Sequence, residues 1–81
     1  MARVSKKTDK DDLLVQLGAE VRAKRTAIGL SQEALADASG IERSHMGKIE
    51  RGERNVTFLN ITRIAGALET KPSELLKSAG L

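Results

Sequence analysis

Residues 32–51 read QEALADASGIERSHMGKIER, and the fold turns on this stretch. Small Ala36 stands midway along its first half, Gly40 at its centre, and Ile41, Met46 and Ile49 on one side of its second half. A small residue lets two helices cross closely, a glycine accepts the positive φ of a tight turn, and the apolar residues lock the crossing angle. A generic helical hairpin does not require all three to agree, so the stretch predicts a helix-turn-helix. Laid out at about 100° per residue, Met46 and Ile49 point inward on the second helix, with His45 and Glu50 flanking that stripe. Arg43, Ser44, Gly47, Lys48 and Arg51 share the opposite face, which carries no acid and has a gap at Gly47. Ordinary solvent faces mix both signs of charge, so this segregation requires an explanation.

Outward from this unit, periodicity and punctuation predict three more helices. Leu14, Leu17, Val21, Arg25 and Ile28 recur at spacings of three and four, one stripe of a helix over about 12–28. Asp11 and Asp12 lie at its positive end, and Gly29 supplies a left-handed stop. Ser31 predicts an N-cap for the helix opening at Gln32, which ends near Ser39-Gly40. The next helix runs over about 42–51 and stops at Gly52. Residues 52–56 form a loop, and Thr57 caps a fourth helix whose buried stripe is Phe58, Ile61, Ile64, Ala65 and Leu68. A last helix starts near Pro72 and carries Leu75 and Leu76. Residues 1–10 are polar, with charges of both signs, and read as a flexible arm. The expected chain is all-α: a compact five-helix domain over residues 11–81 with a central helix-turn-helix, preceded by that arm.

The composition agrees. The 81 residues suit one small domain rather than two. They are 40% hydrophobic with a single aromatic, Phe58, so the core is expected to be built from Leu, Ile, Val, Ala and Met. One proline and seven glycines argue against a strand-rich sandwich. The lack of cysteine excludes disulfides and cysteine–metal sites and is compatible with a reducing cytosol. No apolar run approaches the roughly 18 residues that span a bilayer, and MARVSKKTDKDD holds no signal-peptide core. A net charge of +3 and a pI of about 9.6 fit nucleic acid, but many small domains share that bias.

Arg25 interrupts the apolar stripe of the first helix. A guanidinium there needs a carboxylate, because an unpaired buried charge costs several kcal/mol. Glu50, at the edge of the second helix's buried stripe, is the expected partner; the alternative is an Arg25 that snorkels to solvent.

The segments VRAKR (21–25), GLSQEALA (29–36), IERG (49–52) and ITRIAGAL (61–68) resemble the lambdoid-repressor-like helix-turn-helix proteins, the xenobiotic-response-element regulator family, over about residues 13–77. Within that family, IERSHMGKIERGERN (41–55) followed by VTFLNITRIAGAL (56–68) is most similar to the controller proteins of restriction–modification systems. That likeness rests chiefly on Arg43, Arg54 and Asn55, with phage repressors and antitoxins as neighbouring readings. The resemblance implies that the second helix of the unit enters the DNA major groove and that the protein binds as a symmetric dimer. It supports the Arg25–Glu50 pair as well.

On that reading the exposed face acquires roles. Arginine forks onto guanine O6 and N7, so Arg43, near the helix N-terminus, is the candidate for base readout. Ser44 and Lys48 lie beside it, within reach of bases or phosphates, and Arg51, a turn further on, is expected to meet the backbone. The resemblance implies a phosphate contact at Gln32, which opens a helix. Arg54 and Asn55 fall in the loop where related proteins touch the sugar-phosphate backbone or minor groove; an ordinary loop charge is the alternative for Arg54. Gly47 reads equally as clearance for the groove or as surface drift. His45 is expected to pack partly on the preceding helix. Controller-like proteins often place an aromatic there to reach DNA, which leaves a phosphate contact open.

No phosphate-binding glycine loop, activated nucleophile or metal-spaced ligand set is present, so no enzyme, cofactor, metal or small-molecule ligand is expected. The expectation is a cytoplasmic, nucleoid-associated transcriptional regulator, binding double-stranded DNA as a homodimer at a palindromic operator. A protein-interaction module that has lost DNA binding is the rival class, and the basic face around Arg43 argues against it. The dimer interface is expected from Phe58, Leu59, Leu75, Leu76 and Leu81, on the last helix and the edge of the fourth. The alternative is that these leucines close the monomer's own core.

Overall fold

Five helices follow one another: α1 (Leu13–Ala27), α2 (Gln32–Ser39), α3 (Arg43–Glu50), α4 (Phe58–Ala67) and α5 (Pro72–Ser78). The computed structural model describes residues 12–81. The arm expected over residues 1–10, and Asp11 beside it, lie outside the described residues. The all-α, five-helix expectation holds. Among the described residues, no helix is long and apolar enough to cross a membrane.

The boundaries have local causes. Ser31 Oγ accepts from the Ala34 N–H at 3.0 Å, and Thr57 Oγ1 accepts from the Asn60 N–H at 3.1 Å. Each hydroxyl satisfies an amide that has no partner within its own helix. Pro72 opens α5, where a missing N–H costs nothing. At the end of α2, Gly40 adopts φ 68°, and the Ile41 N–H returns to the Ala36 carbonyl at 3.0 Å. That left-handed residue turns the chain from α2 into α3. Asp12, by contrast, does not cap α1: it has φ 55° and its side chain bonds no helix amide.

One aliphatic cluster forms the core: Leu17 and Val21 of α1, Leu35 and Ala36 of α2, Ile41, Met46 and Ile49 around α3, Ile64, Ala65 and Leu68 of α4, and Leu75 of α5. Each of the larger side chains among them contributes roughly 1.5–3 kcal/mol when fully buried. α1 crosses α3 closely because Gly18 has no side chain. A Cβ there would run into the carbonyl oxygen of Ile49 and lie 2.6 Å from that of Glu50.

Three expectations need correcting. Phe58 is 74% exposed and is not part of the core. It is the first residue of α4, and the helix meets the core only from Ile61 onward. Ile28 is also exposed: it is the C-cap of α1, one residue beyond the helix, and Leu30 packs on the core instead. Leu75 has no exposed surface at all, so it closes the monomer's own core and offers nothing to a partner.

Candidate nucleic-acid interface

The helix expected to read DNA is fastened from behind. Arg25 Nε donates to Glu50 Oε2 at 2.7 Å and Nη2 donates to Oε1 at 3.0 Å, while Nη1 donates to the Leu30 carbonyl at 2.9 Å. Two parallel bonds between a guanidinium and a carboxylate are a strong, directional contact. The side chains are only 12% and 3% exposed, so the expected pair forms and Arg25 does not snorkel. The Arg25 pKa is raised, first by the hydrogen bond to Glu50; burial opposes that rise and the Glu50 charge assists it. Gln32 Nε2 adds a further bond to Glu50 Oε1 at 3.2 Å. One acid at the end of α3 is thereby tied to both α1 and α2.

This arrangement changes the reading of two residues. Gly47 is buried, so it is not an open gap in the outer face. A Cβ there would lie 3.2 Å from Gln32 Oε1 and from Arg51 Nη1. The glycine makes room for the Gln32 side chain to cross from α2 to Glu50. Gln32, expected to touch a phosphate, thus has a structural bond first. It nonetheless lines a pocket of about 260 Å³ with Arg22, Arg25, Glu50 and Arg51. Arg22 was not anticipated. Its signal is the spacing of three from Arg25, which puts both on neighbouring positions of α1.

The outer face of α3 carries exposed Ser44 and Arg51 and half-buried Lys48. Their positions around the helix span only about 60°. Arg43 is exposed at the N-terminal tip and has no ion-pair partner among the described residues. The face itself carries no acid, but acids border it at both ends of α3. Glu42, just before α3, accepts from the Ser44 hydroxyl at 2.5 Å. Glu53, just after it, accepts from Arg51 Nε at 3.1 Å, in a pair whose side chains are 57% and 41% exposed. A pair that open is worth little and yields readily to a competing anion.

On the other flank of α3, His45 is half-buried, and its Nε2 is enclosed without a hydrogen-bond partner. It lines a second pocket, of about 340 Å³, with Arg54, Asn55 and Thr57. The expected site residues therefore fall into a tip (Arg43, Ser44), a flank beside α1 and α2 (Gln32, Arg51) and a flank beside the loop (His45, Arg54, Asn55), with Lys48 on the face between. A donor fork at the tip of a rigid helix, with cations on both flanks, suits a groove about 12 Å wide between two rows of phosphates.

Residues 21–75 match the helix-turn-helix family HTH_3. The control protein C.SmaI of Serratia marcescens is 43% identical over 70 residues, covering 86% of this chain and 83% of that protein. The control protein C.BamHI of Bacillus amyloliquefaciens is 37% identical over 67 residues, covering 82% of this chain and 83% of the relative. Among solved structures, the restriction-modification controller protein C.AhdI from Aeromonas hydrophila matches with a TM-score of 0.75 and 53% identity, over 76% of this chain and 94% of that one. With the family match over most of its length and relatives of this kind, the chain belongs to the helix-turn-helix family of DNA-binding transcription regulators, alongside the restriction–modification controller proteins.

Proposed function

We propose that this protein is a restriction–modification controller: a cytoplasmic, nucleoid-associated homodimer that binds a palindromic operator and regulates transcription there. The carrying observation is Arg43, exposed at the tip of a helix whose far end is bonded through Glu50 to both α1 and α2. A base-reading side chain must be presented without wobble, and this brace supplies the rigidity. In the reading, α3 enters the major groove and Arg43 forks onto a guanine. Ser44 and Lys48 reach bases or phosphates beside it. Gln32 and Arg51, with Arg22, meet phosphates on one rim, and His45, Arg54 and Asn55 meet the backbone on the other.

The relatives named as control proteins favour the controller reading over a phage-type repressor or an antitoxin. A pure protein-interaction module has no use for cations on both sides of Arg43. Dimerisation is supported by Phe58 and Leu59, which are 74% and 62% exposed at the start of α4. Adjacent apolar side chains left in water mark a surface that meets a partner, and a second copy satisfies the two-fold symmetry of a palindrome.

Selection of bound sequences from a random duplex library, followed by footprinting, tests this. The expected result is a two-fold symmetric site with half-sites about one helical turn apart, or a multiple of that. A protein that neither binds heparin nor shows salt-dependent binding to duplex DNA would overturn the proposal.

A further inference from the structure

The tip of α3 carries an acid that a purely phosphate-binding surface would exclude. Glu42 is exposed at the N-cap position, immediately before Arg43. The usual work of an acid at this position is capping, yet its side chain bonds none of the helix amides. It does not pair with Arg43 either. Its bond is with the Ser44 hydroxyl, which donates to Oε1 at 2.5 Å. The carboxylate is thus steadied from the outer face of α3, while Oε2 has no partner among the described residues.

Brought against DNA, such a group is repelled by phosphates, and only an amino donor on a base edge compensates it. In the major groove those donors are cytosine N4 and adenine N6. Adenine sets its N7 acceptor beside N6, and N7 repels a carboxylate. Cytosine has no acceptor of its own next to N4. We infer that Glu42 is a specificity-determining residue: its carboxylate, held by Ser44, accepts from the N4 amino group of a cytosine in the base pair next to the one whose guanine Arg43 reads. This rests on the reading of α3 as the major-groove helix. The same charge repels phosphates of every sequence, so it suppresses non-specific binding while favouring the correct site.

Glu42→Ala and Glu42→Gln test the inference, since the position is exposed and caps nothing. Each full-length variant is carried beside the parent through selection from a random duplex library, then titrated with the parent's selected duplex and its single-base variants. The parent is expected to select a cytosine by the Arg43 guanine and to lose about tenfold in affinity when that cytosine is replaced. Glu42→Ala is expected to erase this preference, keep the guanine preference and bind random duplex more tightly. Glu42→Gln is expected to move the preference to adenine, whose N6 and N7 match an amide. If the parent selects no sequence at all, the groove reading of α3 fails and takes this inference with it. If the parent selects a site and both variants keep its base profile, the inference alone is overturned. Variants that gain equally on every duplex overturn it too, because Glu42 then acts only as a charge.

Discussion

Arg25 of α1 donates to both carboxylate oxygens of Glu50 at the end of α3, at 2.7 and 3.0 Å, and Gln32 of α2 donates to one of them at 3.2 Å. Three helices therefore meet on one acid. Removing either charged partner leaves the other uncompensated in a largely enclosed place. Arg25→Met and Glu50→Gln are each expected to destabilise the domain by roughly 3–5 kcal/mol, and the double change to apolar residues to recover much of that. Denaturant unfolding measures both, and single variants as stable as the parent would show that the charges are solvated. The raised Arg25 pKa fixes the sign of its pH dependence. A raised pKa stabilises fully below the unfolded value and is lost only as pH rises through the folded one. For Arg25 that window lies above the ordinary arginine range, so its contribution should be flat across neutral pH.

Two helical glycines should respond oppositely to the same added methyl. At Gly18 a Cβ would collide with the Ile49 carbonyl and lie 2.6 Å from the Glu50 carbonyl oxygen, both backbone groups that cannot rotate away. Gly18→Ala should therefore push α3 off α1 and cost about 1–3 kcal/mol or more, outweighing the gain of about 1 kcal/mol in helix propensity. Because α3 itself is displaced, operator affinity should fall as well. At Gly66 in α4 a Cβ would meet nothing within 4 Å. Gly66→Ala should then stabilise by about 0.5–1 kcal/mol. Thermal melts of the two variants check the pair; a Gly18→Ala variant that melts at or above the parent would contradict the close α1–α3 crossing.

The contrast between these glycines shows what the chain discloses by itself. Ser31, Gly40, Thr57 and Pro72 act on neighbours a few residues away, so the helix ends can be read directly. The Arg25–Glu50 bridge spans 25 positions, yet it is readable because a guanidinium in an apolar stripe demands an acid. Gly47 is another matter: it looks like a gap in an outer face until Gln32, from a different helix, is seen to fill the space. Phe58 and Ile28 continue apolar stripes whose ends happen to overshoot the core, and only the placement of the other helices decides where a stripe leaves it. Glu42 lies one residue before α3, so a wheel drawn over the helix alone omits it.

Readout and positioning should separate by mutation. Arg43→Ala is expected to cost about 1–3 kcal/mol on the preferred operator and to flatten base preference at one position, with a small effect on random duplex. Gln32→Ala should weaken binding to both DNAs together, since a phosphate contact carries no sequence information. It should also cost about 1 kcal/mol of stability through the lost bond to Glu50, which Arg43→Ala should not. Titrations on both duplexes, paired with melts, make the distinction. Equal losses on operator and random DNA for Arg43→Ala would demote it to a backbone contact.

The apolar residues of α4 and α5 divide by burial, and assembly should divide with them. Leu75 is fully enclosed, Leu76 is half-buried, and Leu59 is 62% exposed beside Phe58. A glutamate at Leu75 would bury an uncompensated charge in the core, so Leu75→Glu should unfold the domain rather than dissociate it. Leu59→Glu touches nothing in the core and should give a folded monomer. Leu76→Glu should do both in part, losing some stability along with the interface. A single domain of this size reads few base pairs, and two copies combine their contacts, so the Leu59→Glu monomer should bind the operator much more weakly than the parent. Its random-duplex binding per copy should change little, because Arg43 and the flanking cations are untouched. Sedimentation at micromolar concentration, set beside operator titration, decides the matter. A parent that sediments as a monomer, or a Leu59→Glu variant that stays dimeric, rules out an interface on the first turn of α4.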